Sequence, residues 1–172
     1  MGYRRLVAAG EPLGLRHAGL KTLASCRMEK GYRDYGHDID NTDSVLEAGL
    51  GFAVDLKKPN GFIGKDAVLR KKAEGPLKRR LLQVQVLDPK PLMFHAEPVW
   101  RDGQPVGYVR AASYGHTLGG AVGLAMIEGG SAVVDAAFIE AGKWELEIAG
   151  ARFPAKVSLK PLFDPENKKI KG

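Results

Sequence analysis

The sequence predicts an α+β protein in which a C-terminal antiparallel β-barrel follows a partial helical/αβ segment. Helical pieces separated by glycine and proline characterise the first fifty residues, and strand patterns with regularly spaced turn residues fill almost all of the chain after Pro76. The composition is that of a globular chain, with 44% hydrophobic and 27% charged residues among 172. This length allows one domain, or one domain and a fragment, and we divide the chain into residues 1–76 and 77–172.

Three helices are predicted in the first part. Residues 3–9 form a short helix that ends at Gly10, and residues 65–73 form another that ends before Gly75 and Pro76. The second helix runs from residue 17 to residue 27 or 28. It carries an apolar stripe that consists of Leu20, Leu23, Ala24 and Met28.

The remainder of the first part is predicted as a loop and one strand. Residues 31–44 are rich in Gly, Asp and Asn, which is typical of a loop. The alternation of Phe52, Val54 and Leu56 predicts a strand. These elements are too few to enclose a complete core of their own.

The second part contains about six predicted strands between residues 77 and 163. Residues 82–86 alternate apolar and polar side chains, and the continuous apolar run 121–127 predicts a buried strand. Asp102 and Gly103 predict a hairpin with a type I′ turn, because both residues tolerate positive φ. A small antiparallel barrel accommodates strands of this number and length.

The register of the last hairpin follows from placing its two-residue turn at Gly150 and Ala151. With this turn, the apolar residues of both strands share one face of the sheet. The predicted pairs are Ile148 with Phe153, Leu146 with Ala155, and Trp144 with Val157, and Glu145 faces Lys156 on the opposite side.

Several classes of site are excluded by the residues that are missing. Cys26 is the only cysteine, and the four histidines have no metal-binding spacing, so the sequence predicts neither a disulfide framework nor a metal site. No stretch approaches the roughly 20 apolar residues of a membrane span, and the N-terminus lacks the apolar core of a signal peptide. The sequence therefore predicts an enzyme of the cytoplasm or an organelle matrix with no membrane partner. No catalytic set is predicted, because Ser113 and His116 lack a third, orienting group.

Positive charge is concentrated in residues 57–80. This segment, here called the basic segment, carries nine Lys or Arg residues against two acidic ones, and the net charge of the whole chain is +6. One interpretation is an ordinary solvated face, and the other is an attractive field for a polyanion. No nucleic-acid-binding motif and no interleaved aromatic residues accompany the charge, so nucleic acid is not predicted as the partner.

Arg27 is predicted to lie on the wrong face of its helix. At 100° per residue it falls about 20° from Leu20, in the middle of the apolar stripe. An arginine at such a position requires a carboxylate or a ligand. It either pairs with the acidic loop that follows or holds an anionic or carbonyl-bearing ligand. Glu29 would point elsewhere, so the helix is predicted to end near Arg27 with Glu29 in the turn.

Several segments together resemble the aminomethyltransferase (glycine-cleavage T-protein) superfamily. Residues 11–40, EPLGLRHAGLKTLASCRMEKGYRDYGHDID, resemble its G-L-R-x-x-G…R-x-E-K-G-Y and Y/W-G-x-D motifs. LEAGLGFAVDLKK, FIGKDAVL and the run from PVWRDGQ to GLAMI resemble later family segments in the same order. The ending LKPLFDPENKKIKG is most similar to the folate-binding module of the flavin-dependent sarcosine and dimethylglycine dehydrogenases.

The resemblance implies a function in one-carbon transfer. Family members bind tetrahydrofolate in a central channel and pass it a one-carbon unit, which in the dehydrogenases gives 5,10-methylenetetrahydrofolate. By position, Arg27 and Glu29 match a folate- or substrate-contacting arginine and its neighbouring glutamate. Tyr35 matches the aromatic residue before Gly-x-Asp, and Phe52 stands where T-proteins often carry tryptophan beside the channel. The basic segment would then attract the polyglutamate tail of a cellular folate.

The resemblance also implies that parts are missing. The family's catalytic aspartate, its pterin-holding segment and the FAD domain would all lie N-terminal to this chain. We therefore expect a C-terminal piece of a larger protein that cannot catalyse transfer alone and binds folate weakly or not at all.

Three alternatives stay open. One is a glycine cleavage T-protein with a lipoyl carrier protein as partner, and another is a barrel that only docks a second subunit. The third is a non-catalytic folate module like the iron–sulfur-maturation proteins, whose Lys-Gly-Cys-Tyr motif reads Lys-Gly-Tyr-Arg at residues 30–33 here.

Overall fold

The computed structural model describes residues 2–171. Its helices are α1 (Gly2–Gly10), α2 (Leu20–Glu29), α3 (Lys65–Ala73), α4 (Ala136–Glu140) and α5 (Lys168–Lys171). Its strands are β1 (Arg79–Val86), β2 (Pro98–Arg101), β3 (Gln104–Gly115), β4 (Gly120–Glu128), β5 (Trp144–Ile148) and β6 (Ala151–Ser158). Two 3-10 turns lie at Glu11–Leu13 and Gly51–Ala53. None of the helices in this range is long and apolar enough to cross a membrane.

The six strands form a closed antiparallel barrel in the order β1-β4-β3-β2-β5-β6, which confirms the predicted α+β class. The apolar run of β4 is buried along its whole length except at Glu128, as the sequence predicts. Side chains from all six strands fill the barrel interior, as expected for a barrel of this size. The largest fully buried ones include Leu82, Val99, Val109, Ile127 and Leu146.

The turns fix the pairing of the strands. Asp102 and Gly103 have φ values of 52° and 78°, which confirms the predicted hairpin turn. The predicted register of the last hairpin is wrong by two residues, because its turn lies at Ala149 and Gly150, with φ values of 50° and 79°. The observed pairs are Ile148 with Ala151, Glu147 with Arg152, Leu146 with Phe153 and Glu145 with Pro154. A shift of two preserves the faces, so alternation alone did not detect it.

Two short elements differ from the sequence prediction. The predicted strand through Phe52 and Val54 is wrong, because Gly51–Ala53 is a 3-10 turn whose hydrogen bonds are local, from Ala53 N to Leu50 O and from Val54 N to Gly51 O. Helix α4 was not predicted because it has only five residues. Asp135 is its N-cap residue, and the carboxylate of Asp135 accepts a hydrogen bond from the backbone N–H of Phe138.

The buried face of α2 is also different from the predicted stripe. Leu20 and Leu23 are 85% and 64% exposed, whereas Ser25, Met28 and Glu29 are buried. The C-terminal half of the helix packs on β3 and β4, where the Ser25 hydroxyl donates to Tyr114 O at 2.6 Å. The helix continues through Glu29, so placing Glu29 in a turn is wrong as well.

Lys30 and the C-terminal segment hold the end of α2 against the barrel. The buried Lys30 ammonium donates to Asp164 O at 2.6 Å and to Asn167 Oδ1 at 2.7 Å, and it pairs with the Asp164 carboxylate at 3.2 Å. Burial acts to raise the pKa of Asp164, but the Lys169 N–H and the Lys30 ammonium outweigh it. The pKa of this carboxyl therefore lies below its ordinary value.

We expect Asp164→Asn to make the protein less sensitive to acid. Because the folded-state pKa is lowered, the ionised carboxylate stabilises the fold above the unfolded pKa of about 3.9, and this contribution disappears as pH falls through the folded value. The variant should have a lower urea midpoint than the native chain at neutral pH, and the difference should shrink as the pH falls below the unfolded pKa and Asp164 becomes protonated in the folded state. Glu166→Gln, which alters an exposed surface pair with Lys168, is the control and should shift little at either pH.

Candidate functional site

An open groove of about 350 Å³ lies where the end of α2, the loop that follows it, the β1–β2 connection and β3 meet. No acidic side chain lines it within the described range. Its lining residues are Arg27, Gly36, His37, Phe94, His95, Arg110, Ala111 and Ala112. The same residues 2–171 contain no cluster of three or more His, Cys, Asp or Glu side chains that would hold a metal ion.

Arg27 both forms an ion pair and lines the groove. Its Nη1 donates to Asp38 Oδ2 at 2.7 Å and to the carbonyl oxygen of Tyr32 at 3.3 Å. Asp38 is fully buried, and its Oδ2 also accepts the backbone N–H of Asp34 at 2.8 Å. Within residues 2–171, Asp38 Oδ1 is a buried acceptor without a partner. Asp38 and Tyr32 therefore hold Nη1 of the guanidinium, and Nε and Nη2 of Arg27 have no hydrogen-bond partner in the same range.

Glu29 is directed into the barrel end rather than into the groove. One carboxylate oxygen accepts the backbone N–H groups of Thr117 at 2.6 Å and Leu118 at 3.0 Å, in the turn between β3 and β4. A buried carboxylate with two backbone donors is well stabilised. Glu29 thus ties α2 to that turn.

The other two predicted site residues are exposed aromatic residues. Tyr35 directly precedes the groove residue Gly36, and Phe52 is 87% exposed on the 3-10 turn. Neither lines the groove, so of the four predicted residues the structure brings only Arg27 into it.

Sequence reasoning did not single out Arg110, Phe94 or the two groove histidines as a group. Arg110 lies at a β-bulge in β3, and Phe94 and His95 lie on a connection without regular structure. His37 contacts the Asp34 carboxylate at 3.1 Å. These residues come from segments that are far apart in the sequence, and no hydrophobic periodicity relates them. They become neighbours only when the barrel closes.

The basic segment is partly neutralised by ion pairs. Arg79 pairs with Asp43 at 2.7 Å, and Lys71 pairs with Glu47 at 3.2 Å and Glu74 at 3.0 Å. Hydrogen bonds to Glu74 and Glu47 raise the pKa of Lys71. A cavity of about 500 Å³ beside these residues has a lining of mixed charge, and no residue of the basic segment lines the Arg27 groove.

Two family models match the chain along most of its length. The glycine cleavage T-protein C-terminal barrel domain matches residues 79–164, and the GCVT N-terminal domain matches residues 1–58. In fold, the chain is similar to the glycine cleavage system aminomethyltransferase T of Bartonella henselae, with a TM-score of 0.74 and 22% identity over 95% of this chain and 45% of that one.

Curated relatives include much longer proteins. The chain is 42% identical to 4-methylaminobutanoate oxidase (formaldehyde-forming) of Paenarthrobacter nicotinovorans over 95% of its own length and 19% of that protein. It is 41% identical to mitochondrial sarcosine dehydrogenase of Mus musculus over 99% of its own length and 18% of that protein. An aminomethyltransferase of Shouchella clausii is 34% identical over 94% of this chain and 42% of its own length. The chain thus spans about a fifth of the first two relatives.

The barrel match covers half of the chain, and the second match covers most of the helical part. The N-terminal match contains α2, and the C-terminal match contains the strands of the closed barrel. The chain therefore belongs to the glycine cleavage T-protein (aminomethyltransferase) family.

Proposed function

We propose that the chain is the C-terminal part of a tetrahydrofolate-dependent one-carbon transfer module in a sarcosine/dimethylglycine dehydrogenase-like flavoenzyme. The observation that carries this proposal is the Arg27 guanidinium, oriented by buried Asp38 at the edge of an open groove. The identity of about 41–42% to a sarcosine dehydrogenase and a methylaminobutanoate oxidase supports the dehydrogenase-like assignment. We place the boundary between its two parts at residues 76 and 77, just before β1.

The residues present fit part of a folate. Free donors on Arg27 suit a carbonyl or carboxylate oxygen, and the exposed rings of Tyr35 and Phe52 are free to contact an aromatic ligand. When bound, tetrahydrofolate supplies the two nitrogens that accept the one-carbon unit as 5,10-methylenetetrahydrofolate. Glu29 would not contact the ligand and would instead hold α2 and the turn after β3 in place. FAD would be bound by the part of the protein that precedes this chain.

The runner-up function is aminomethyl transfer in a glycine cleavage system, with a lipoyl carrier protein as partner. The 34% identity to an aminomethyltransferase favours it as the second candidate. In either case we place the protein in a bacterial cytoplasm or a mitochondrial matrix. The two functions differ in the donor of the one-carbon unit, which is an N-methylated amine in the first and a lipoyl-bound aminomethyl group in the second.

Arg27→Lys in the complete protein tests the proposed function. Lysine keeps the pair with Asp38 but lacks the planar fork, so we expect the KM for tetrahydrofolate to rise about tenfold. The fraction of one-carbon units recovered as 5,10-methylenetetrahydrofolate should fall and free formaldehyde should rise, while the rate of amine oxidation stays unchanged.

Arg5→Lys, at an exposed position of α1, is the matched control and should match the native protein in both measurements. If the complete native protein forms no methylenetetrahydrofolate from any N-methylated amine, the dehydrogenase-like function is excluded. Product formation from a lipoyl-bound aminomethyl donor would then favour the runner-up.

A further inference from the structure

Arg110 is the second guanidinium of the groove, and a β-bulge positions it there. Val109 pairs with Ala125 and Ala111 pairs with Leu124, so Arg110 is an extra residue that faces no partner on β4. Bulges of this kind change the direction of a side chain and often lie beside binding sites. The bulge therefore accounts for the position of the Arg110 side chain in the lining of the groove.

Arg110 is held by Asp43 and Tyr108, neither of which lines the groove. Its Nη2 lies 3.4 Å from Asp43 Oδ1, a buried carboxylate that also pairs with Arg79 at 2.7 Å. Its guanidinium lies over the ring of Tyr108, 5.0 Å from the centroid. Nε is buried without a partner within residues 2–171, and Nη1 forms no hydrogen bond in that range either. Arg79 also contacts Glu47 at 3.4 Å, whereas Asp43 is the carboxylate that Arg110 contacts within residues 2–171.

Arg27 and Arg110 therefore have similar environments. Each is anchored by a buried aspartate, each retains unused donors, and both line one groove without an acidic lining residue. Phe94, which is 63% exposed, adds an apolar ring to the same groove. Two planar donors beside an exposed ring match a carboxylate that is joined to an aromatic group.

We propose that Arg110 and Arg27 together bind the carboxylate of an aryl-linked ligand, with Phe94 against its ring. This inference rests on the proposed function, in which the ligand is the aminobenzoyl-glutamyl end of a folate. It assigns to Arg110 a recognition role that is separate from the one-carbon chemistry.

The probe is p-aminobenzoyl-L-glutamate, titrated into the ¹⁵N-labelled 172-residue chain and followed by amide NMR shifts. We expect saturable shifts centred on Gly36, His37, Ala111 and Ala112, with a Kd in the millimolar range because only part of a folate is present. L-Glutamate and inorganic phosphate form the comparison arms. They should bind about tenfold more weakly, since neither has a ring to pack on Phe94.

Arg110→Gln should raise the Kd for the probe about tenfold or more, because one charged hydrogen-bonding partner is removed. Arg110→Lys should give a smaller increase, since the charge and the Asp43 pair remain. The matched control is Arg79→Gln, which removes the other guanidinium on Asp43 but does not line the groove, and it should change the Kd less than twofold. Well-dispersed spectra establish that each variant is folded.

Shifts that are absent, or that fall away from the groove, would overturn the proposal. Equal affinity for the probe, L-glutamate and phosphate would overturn it too, because it would indicate a general anion site. Equal losses in Arg110→Gln and Arg79→Gln would show that the effect is structural. None of these outcomes depends on whether the complete protein forms methylenetetrahydrofolate, so this inference and the proposed function fail separately.

Discussion

Gly107→Ala should lower the free energy of unfolding by about 4 kcal/mol or more, as measured by urea unfolding. Gly107 lies within β3, between Val99 on β2 and Ile127 on β4. A Cβ atom there would lie inside the contact distance of the Met126 carbonyl oxygen and 3.0 Å from its carbonyl carbon. Its φ of 156° also lies outside the range that alanine adopts readily. Relief would require β3 and β4 to separate in a barrel that is closed on both sides.

Gly103→Ala separates the steric effect from backbone strain. Gly103 also has positive φ, 78°, but no atom lies within 4 Å of an added Cβ. We expect a loss of about 1 kcal/mol there, from the left-handed conformation alone. A Gly107→Ala variant as stable as Gly103→Ala would contradict the strand contact described here.

The barrel was predictable because its signals are local. Alternation in β1, the apolar run of β4 and the Asp102-Gly103 turn each need only neighbouring residues, and all three are confirmed. The register of β5 and β6 was missed because Ala149 takes positive φ, which its residue type does not signal. The residue pattern therefore predicted which side chains share a face of the β5–β6 hairpin, but it did not predict the position of the turn.

The candidate site was only partly predictable. The helical wheel selected Arg27 as a misplaced charge, and the structure gives it a buried carboxylate, which was one of the two predicted outcomes. The stripe used for that argument was wrong, because Leu20 and Leu23 are exposed. Arg110 and Phe94 gave no sequence signal, since a bulge and a long connection acquire their neighbours only when the barrel closes.

Gln83→Leu should destabilise the chain by about 3–5 kcal/mol through the loss of a buried polar junction. The Gln83 amide on β1 donates to Met28 O at 2.6 Å and Glu29 O at 3.1 Å, and its carbonyl accepts the N–H of Leu162. It therefore joins the barrel, the end of α2 and the C-terminal segment. Leucine fits the volume but offers no hydrogen bonds, and each buried group left without a partner costs about 1–3 kcal/mol. Urea unfolding measures the loss.

Gln85→Leu is the matched control, because it lies two residues along the same strand and has one hydrogen bond, from Nε2 to Leu118 O at 3.0 Å. Its partial burial lets water replace the lost partner, so we expect a loss near 1 kcal/mol. Amide hydrogen exchange provides a second measurement. In Gln83→Leu the Leu162 amide should exchange faster than in the native chain, whereas the amides of β3 and β4 should keep the same ranking of exchange rates. If Gln83→Leu is no less stable than Gln85→Leu, then the contacts of Ser25, Glu29 and Lys30, together with apolar packing, hold α2 to the barrel, and the Arg27 groove does not depend on the Gln83 junction.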